Sequence, residues 1–198
     1  MSTKEKQVRA GSFPTAKQLE KELGRVRYRS QYWSTLMNTI YTLLAVSAVA
    51  VLVAVLLLPV LQVYGTSMDP TLENGEYVLS VKNGGFETGD VCAFYYNNKI
   101  LINRVIAHAG DWVDIDKDGT VFVNGEKLEE PYVTDLALGD CDITLPYQVP
   151  ESRIFVMGDH RSVSVDSRNK AIGCVAEEQM VGRIVYKVWP LTHFGRVK

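Results

Sequence analysis

The sequence predicts a mostly β domain preceded by a single transmembrane α-helix. Two observations carry that expectation: an uncharged, almost wholly apolar run from Leu36 to Leu61, and a succession of short alternating segments separated by turn residues from Tyr77 onward. With 198 residues, what remains beyond an anchor is enough for one domain with its own core.

No side chain from Ser30 to Met68 carries a formal charge. The apolar stretch exceeds the roughly 20 residues that cross hydrocarbon, and it is too long and too far from the start for a cleaved secretory signal. A buried core helix of this length would need a protein shell that the chain is too small to build. Residues 36–61 are therefore read as a retained span.

Charge divides around that span. Residues 1–38 carry eight Lys/Arg against three Asp/Glu, and the rest carries thirteen against twenty. Arg25, Arg27 and Arg29 stand just before the span with Tyr28, Tyr32, Trp33 and Tyr41, and no basic residue follows it before Lys82. The positive-inside rule predicts a single-pass protein of the cell membrane with residues 1–35 as a cytoplasmic basic tail and 62–198 outside. Ala16 to Val26 fits either a short amphipathic helix on acidic lipid or a solvated tail, and its thin apolar stripe favours the tail. The span makes membrane lipid an expected partner, and nucleic acid is not expected.

Beyond the span, strands are predicted at Tyr77 to Val81, Val91 to Tyr96 and Ile100 to Ile106, the last two separated by Asn97-Asn98. Val113 to Asp116 and Thr120 to Val123 form a hairpin around Asp118-Gly119, and Asn124-Gly125 offers the next reversal. Residues 126–150 lose periodicity under Pro131, Gly139, Pro146 and Pro150, which predicts a loop-rich insertion. Ile154 to Met157 and Gly182 to Trp189 complete the strands.

Cys92, Cys141 and Cys174 are all in the exported part, where an odd number leaves at least one thiol unpaired in a monomer. Neither Cys-x-x-Cys nor His-x-x-x-His spacing occurs, so no metal and no cofactor is expected.

Two segments carry chemistry. In Gly65-Thr66-Ser67-Met68-Asp69-Pro70-Thr71-Leu72 a hydroxyl stands between a permissive glycine and a rigid proline, with Met68 expected to pack inward. In Gly158-Asp159-His160-Arg161-Ser162-Val163-Ser164-Val165-Asp166-Ser167-Arg168, alternation would put Ser162, Ser164, Asp166 and Arg168 on one face as a hydrogen-bonded support. A solvated charged loop explains the same residues.

Together with Arg104-Val105-Ile106 and Gly110-Asp111, these segments resemble the bacterial type I signal peptidases in their single-span form. The resemblance covers nearly the whole exported domain. It implies a β-rich peptidase fold and a membrane-bound serine endopeptidase that removes signal peptides from exported preproteins, with Ser67 as nucleophile. It further implies Ser164 as an orienting hydroxyl and Asp166 with Arg168 as a supporting ion pair. Substrate would add as a β-strand between about Leu79 to Lys82 and Leu101 to Asn103, contacting Met68, Leu79, Leu101 and Ile102.

The departure is Asn103. The family's general-base lysine stands immediately before Arg-Val-Ile, and here that position holds a carboxamide, which can orient a hydroxyl but cannot accept its proton near neutral pH. Lys99, on the same strand face, is roughly 13 Å back along the strand. His108 follows the strand and His160 lies in the supporting loop, both chemically able to replace the amine if within reach. The alternative to an enzyme is a noncatalytic membrane module that binds extended segments of exported proteins. A self-cleaving repressor of the serine-lysine type is set aside, because the span stands where its DNA-binding helices would be.

Overall fold

The computed structural model describes residues 16–57, 59–82 and 85–197. The chain up to Val53 forms one unit and the chain from Ala54 another. Residues 1–15 of the expected tail, and Leu58 of the expected span, lie outside the described residues.

Helix α1 runs Ala16–Leu57 and is the one described helix long and apolar enough to cross a membrane. Three of its hydroxyls bond within the helix: Thr39, Thr42 and Ser47 each donate to the carbonyl four residues back, at 2.8–2.9 Å. That arrangement lets polar side chains sit in an apolar medium.

The tail reading does not hold from Ala16 onward, where the basic segment is helical. Ala16, Leu19, Lys21, Glu22 and Leu23 are good helix formers, and Arg25 pairs with Glu22 at 3.2 Å. Continuity with the apolar helix also removes the nucleation cost of a short separate one. At the other end Val60 and Leu61, expected as the end of the span, are extended.

The second unit is antiparallel β. One sheet of eight strands orders as β1 (Val60–Gln62), β2 (Tyr77–Val81), β11 (Met180–Trp189), β3 (Val91–Tyr96), β4 (Lys99–Ala107), β9 (Arg153–Met157) and β10 (Val175–Ala176), with β12 (Gly195–Arg196) paired to β11. A smaller sheet orders as β7 (Glu126–Lys127), β6 (Val121–Val123), β5 (Trp112–Ile115) and β8 (Tyr147–Gln148).

Local chemistry explains the tight connections. Asn97 and Asn98 both have positive φ, 44° and 62°, which makes a two-residue hairpin with Tyr96 opposite Lys99. In the β5–β6 loop Asp116 Oδ1 accepts from the N–H groups of Asp118 and Thr120, and Gly119 takes φ 88°.

The core has three apolar clusters. The one that matters for the site joins Val63, Met68 and Leu72 to Val78, Val91, Ala93 and Ile184. Another, on the opposite face of β3 and β4, contains Cys92, Phe94, Val105 and Val156, with Leu101 packed against it. All three cysteines are free.

Candidate active site

Ser67 is held by the β1–β2 connection. Val63 continues the pairing of the two strands, donating to the Glu76 carbonyl at 2.8 Å and accepting from Gly75 at 2.9 Å. Gly65 then turns with φ 90° while its N–H reaches Asn74 Oδ1 at 3.0 Å. Past the turn, the Asp69 N–H bonds the Thr66 carbonyl and the Leu72 N–H bonds that of Met68. Met68 and Leu72, both fully buried, fasten the segment to the core.

Asn103 lies on β4 opposite Cys92, and Arg104 pairs with Met157, so Asn103 comes level with Gly158 just beyond β9. On its face of the strand it follows Leu101 and precedes Val105, which places the carboxamide over the apolar cluster of Cys92 and Val156. Ser67 and Asn103 line one cavity of about 90 Å³ together with Met68, Leu101, Ile102 and Val165. Asn103 is buried, and its Nδ2 has no hydrogen-bond partner among the described residues. Ser164 Oγ, also buried, has none either.

Gly158 explains how these groups come so close. A Cβ there would lie 2.3 Å from Ser164 Oγ and 2.6 Å from the Ser67 carbonyl oxygen, closer than real Cβ atoms approach. The Ser67 carbonyl also accepts the His160 N–H at 3.0 Å, tying the serine segment to the loop after β9.

Three buried arginines hold that loop. Asp166 and Arg168 form a bidentate pair at 2.8 Å through both carboxylate oxygens, and neither side chain is exposed. Arg168 Nη1 also donates to the Leu138 carbonyl and Nη2 to that of Arg161. Arg161 bonds both oxygens of Glu130 and, through Nε, the Gly158 carbonyl at 3.1 Å. Arg104 takes Asp159 at 2.8 and 2.6 Å, reaches the Gly89 carbonyl at 2.6 Å, and stacks 3.8 Å above the Tyr132 ring. Thr71 completes that third group by donating to Asp159. Fully satisfied bidentate pairs of this kind fix geometry, because removing one member strands a buried charge.

These links show what sequence reasoning missed. Residues 161–168 are turns, not a strand, and Ser162 faces out to Asp135 at 2.8 Å, so the one-face alternation is replaced by a coil that buries Ser164, Asp166 and Arg168 while exposing Val163 and Val165. Glu130 and Tyr132, inside the loop-rich insertion, gave no signal at all, since their role depends on arginines distant in sequence. The glycine of the Gly158-Asp159 pair was the visible clue to a close approach.

The substrate-side expectation needs one correction. Leu79 is paired on both edges, with Val60 of β1 and Tyr186 of β11, so β2 has no free edge to offer there. The free edges are those of β1 and of β4 before Arg104, where β9 pairing begins. Between them lies a groove of about 690 Å³ lined by Val60, Leu61, Gln62 and Tyr64 on one side and Asn98 to Ile102 on the other. It shares Gln62, Tyr64 and Ile100 to Ile102 with the Ser67 cavity.

The candidate replacement bases do not line that cavity. Lys99 lines the outer groove only. The Nδ1–H of His160 meets the Thr66 carbonyl at 3.2 Å, and the His108 backbone is held by Asp111. Burial pushes the Cys92 thiol, opposite Asn103, up to about 12 despite a hydrogen bond from the Asn103 N–H, so it stays protonated at neutral pH.

Residues 36–189 match the family described as signal peptidase, peptidase S26. The chain belongs to that family. It is 39% identical over 150 residues to signal peptidase IB of Staphylococcus aureus strain Mu50, covering 66% of this chain and 77% of that one. It is 32% identical over 179 residues to signal peptidase I of Bacillus licheniformis, covering 82% and 94%. The crystal structure of a signal peptidase I from Enterococcus faecalis is 28% identical, covers 50% of this chain and 97% of that one, and superposes with a TM-score of 0.42. The mostly antiparallel β unit and the apolar N-terminal helix are those of a signal peptidase.

Other titratable groups of this signal peptidase relative have structural partners. Glu73, Glu76 and His193 bring potential metal-ligand atoms within 4.8 Å of one another, but Lys187 Nζ stands 3.3 Å from Glu76 and makes the cluster an ion-pair network. Burial and the neighbouring Glu130 charge raise the Tyr132 phenol.

Proposed function

We propose that this chain is a membrane-anchored signal peptidase that captures the signal peptides of exported preproteins as an added strand between β1 and β4, and whose hydrolytic step is disabled at Asn103. The single-pass topology puts the N-terminus in the cytoplasm, because the arginine cluster precedes the span. Ser67 is the hydroxyl that would attack, with its backbone N–H as an oxyanion donor.

One observation carries the reading: Ser67 shares its cavity with a buried, unpartnered carboxamide, and among the described residues no amine, imidazole or carboxylate lines that cavity. An alcohol attacks a carbonyl efficiently only if something accepts its proton. The surroundings suit an amine at position 103. The apolar cluster beneath would disfavour the ammonium form, and Ser164 Oγ, unpartnered, would orient the neutral amine.

The test is cleavage of a preprotein by the unaltered chain and by Asn103→Lys in matched detergent micelles. Processing by the lysine form alone supports the reading. Failure of both forms while a strand-forming peptide still binds would instead support the noncatalytic module.

A further inference from the structure

We infer that Lys99 selects substrates by the charge of the residue four or five positions before the cut, an inference that rests on strand capture between β1 and β4. Among the described residues lining the inner cavity and the outer groove, Lys99 is the only one with a formal charge. It makes no described hydrogen bond or ion pair. The Asn97-Asn98 turn fixes its backbone, since Tyr96 and Lys99 close a two-residue hairpin whose residues both hold positive φ. A cation at a rigid groove edge meets whatever the bound strand presents there.

Strand directions decide which part of the substrate that is. Each successive pair from β1 through β2, β11 and β3 to β4 is antiparallel, so β1 and β4 run the same way. Val60 and Lys99 are thus at one end of the groove, with Ser67 and Asn103 at the other. Val60 follows the end of α1 by three residues, and on the proposed strand capture the apolar part of a signal peptide, upstream of the cut, enters at that end. The captured strand therefore runs from the Lys99 end toward Ser67. Four residues separate Lys99 from Asn103, about 13 Å of extended chain, and an extended substrate covers that span in the same number of residues.

An acidic side chain at that place gains an exposed ion pair, and a basic one is repelled. The expected size is about two- to fivefold in affinity, as for exposed pairs, and it fades at high salt.

The experiment measures binding of fluorescent signal-peptide segments to the full unaltered chain in micelles, with Glu, Gln or Lys placed four and five residues before the cut. Tighter binding of the Glu peptide than of the Lys peptide, abolished in Lys99→Gln, reversed in Lys99→Glu and weakened at about 0.5 M salt, supports the inference. Equal binding of the three peptides, or a preference unchanged in Lys99→Glu, overturns it while leaving strand capture standing. Absence of binding by every peptide overturns strand capture and this inference together.

Discussion

The Gly158 backbone donates its N–H to Asp166 Oδ2 at 3.0 Å, the same oxygen that accepts from Arg168. One carboxylate thus fixes both the glycine that lets Ser164 approach the Ser67 segment and the arginine that ties the loop to residues 137–138. The support around Ser67 and Asn103 is built from buried charge, and its parts fail together.

Asp166→Asn leaves the Arg168 guanidinium buried without its counter-charge. The expected loss is about 3–5 kcal/mol of stability, as for other broken buried pairs. Thermal unfolding followed by circular dichroism measures it, and a change below about 1 kcal/mol, the scale of exposed pairs, would show that the pair is not structural.

Gly158→Ala forces a methyl group into space held by Ser164 Oγ and the Ser67 carbonyl. Backbone and side chain must both shift, which costs about 1–3 kcal/mol where cores are overpacked. Introduced beside Asn103→Lys, the same change is expected to abolish preprotein cleavage while the circular dichroism spectrum stays β-like. Full cleavage by the double variant would mean that Ser164 and Ser67 tolerate separation.

Glu76 gives an acid-side signature. Burial alone would raise its pKa, but the Glu73 N–H, His193 at 2.8 Å and Lys187 outweigh that and hold the carboxyl below its ordinary value. Between the lowered folded value and the ordinary unfolded one, the unfolded chain binds more protons, so stability rises with pH across that window and is lost as pH falls through the folded value. Glu76→Gln is expected to flatten the acid limb of a denaturation profile measured below the usual glutamate range. An unchanged limb would place the acid sensitivity elsewhere.

Thiol accessibility reports on the face beneath Asn103. Burial raises Cys92 to about 12 and Cys174 to about 11, and both are enclosed. A thiol reagent at neutral pH is expected to modify Cys141 alone in the folded chain and all three thiols after unfolding. Rapid modification of Cys92 in the folded chain would show that the cluster opens.

Much of this architecture was legible in the sequence. The alternation in Tyr77–Val81 and Val91–Tyr96 and the Asn97-Asn98 turn were read at their observed limits, since each is a local pattern with a local cause. β1 was not, because Val60 to Gln62 continues the apolar run of the span, and only its partner Tyr77 to Leu79 makes it a strand. β7, β8, β10 and β12 have two residues each, too few for any period. Ser67 and Asn103 were singled out through the family resemblance, and the fold brings both to the lining of one cavity. The groove was misplaced by one strand at Leu79, because which edge stays free is a property of the whole sheet. The roles of Arg104, Arg161 and Glu130 depend on partners distant in sequence, which only the fold brings to them.

The central claim is tested most directly by preprotein cleavage rate for the unaltered chain against Asn103→Lys. If position 103 lacks only the proton acceptor, the lysine form should cleave faster by about 10³- to 10⁶-fold, the range seen when one member of a coupled hydrolytic set is missing. Rapid cleavage by the unaltered chain, abolished by Ser67→Ala and unimproved by the lysine, would contradict the account.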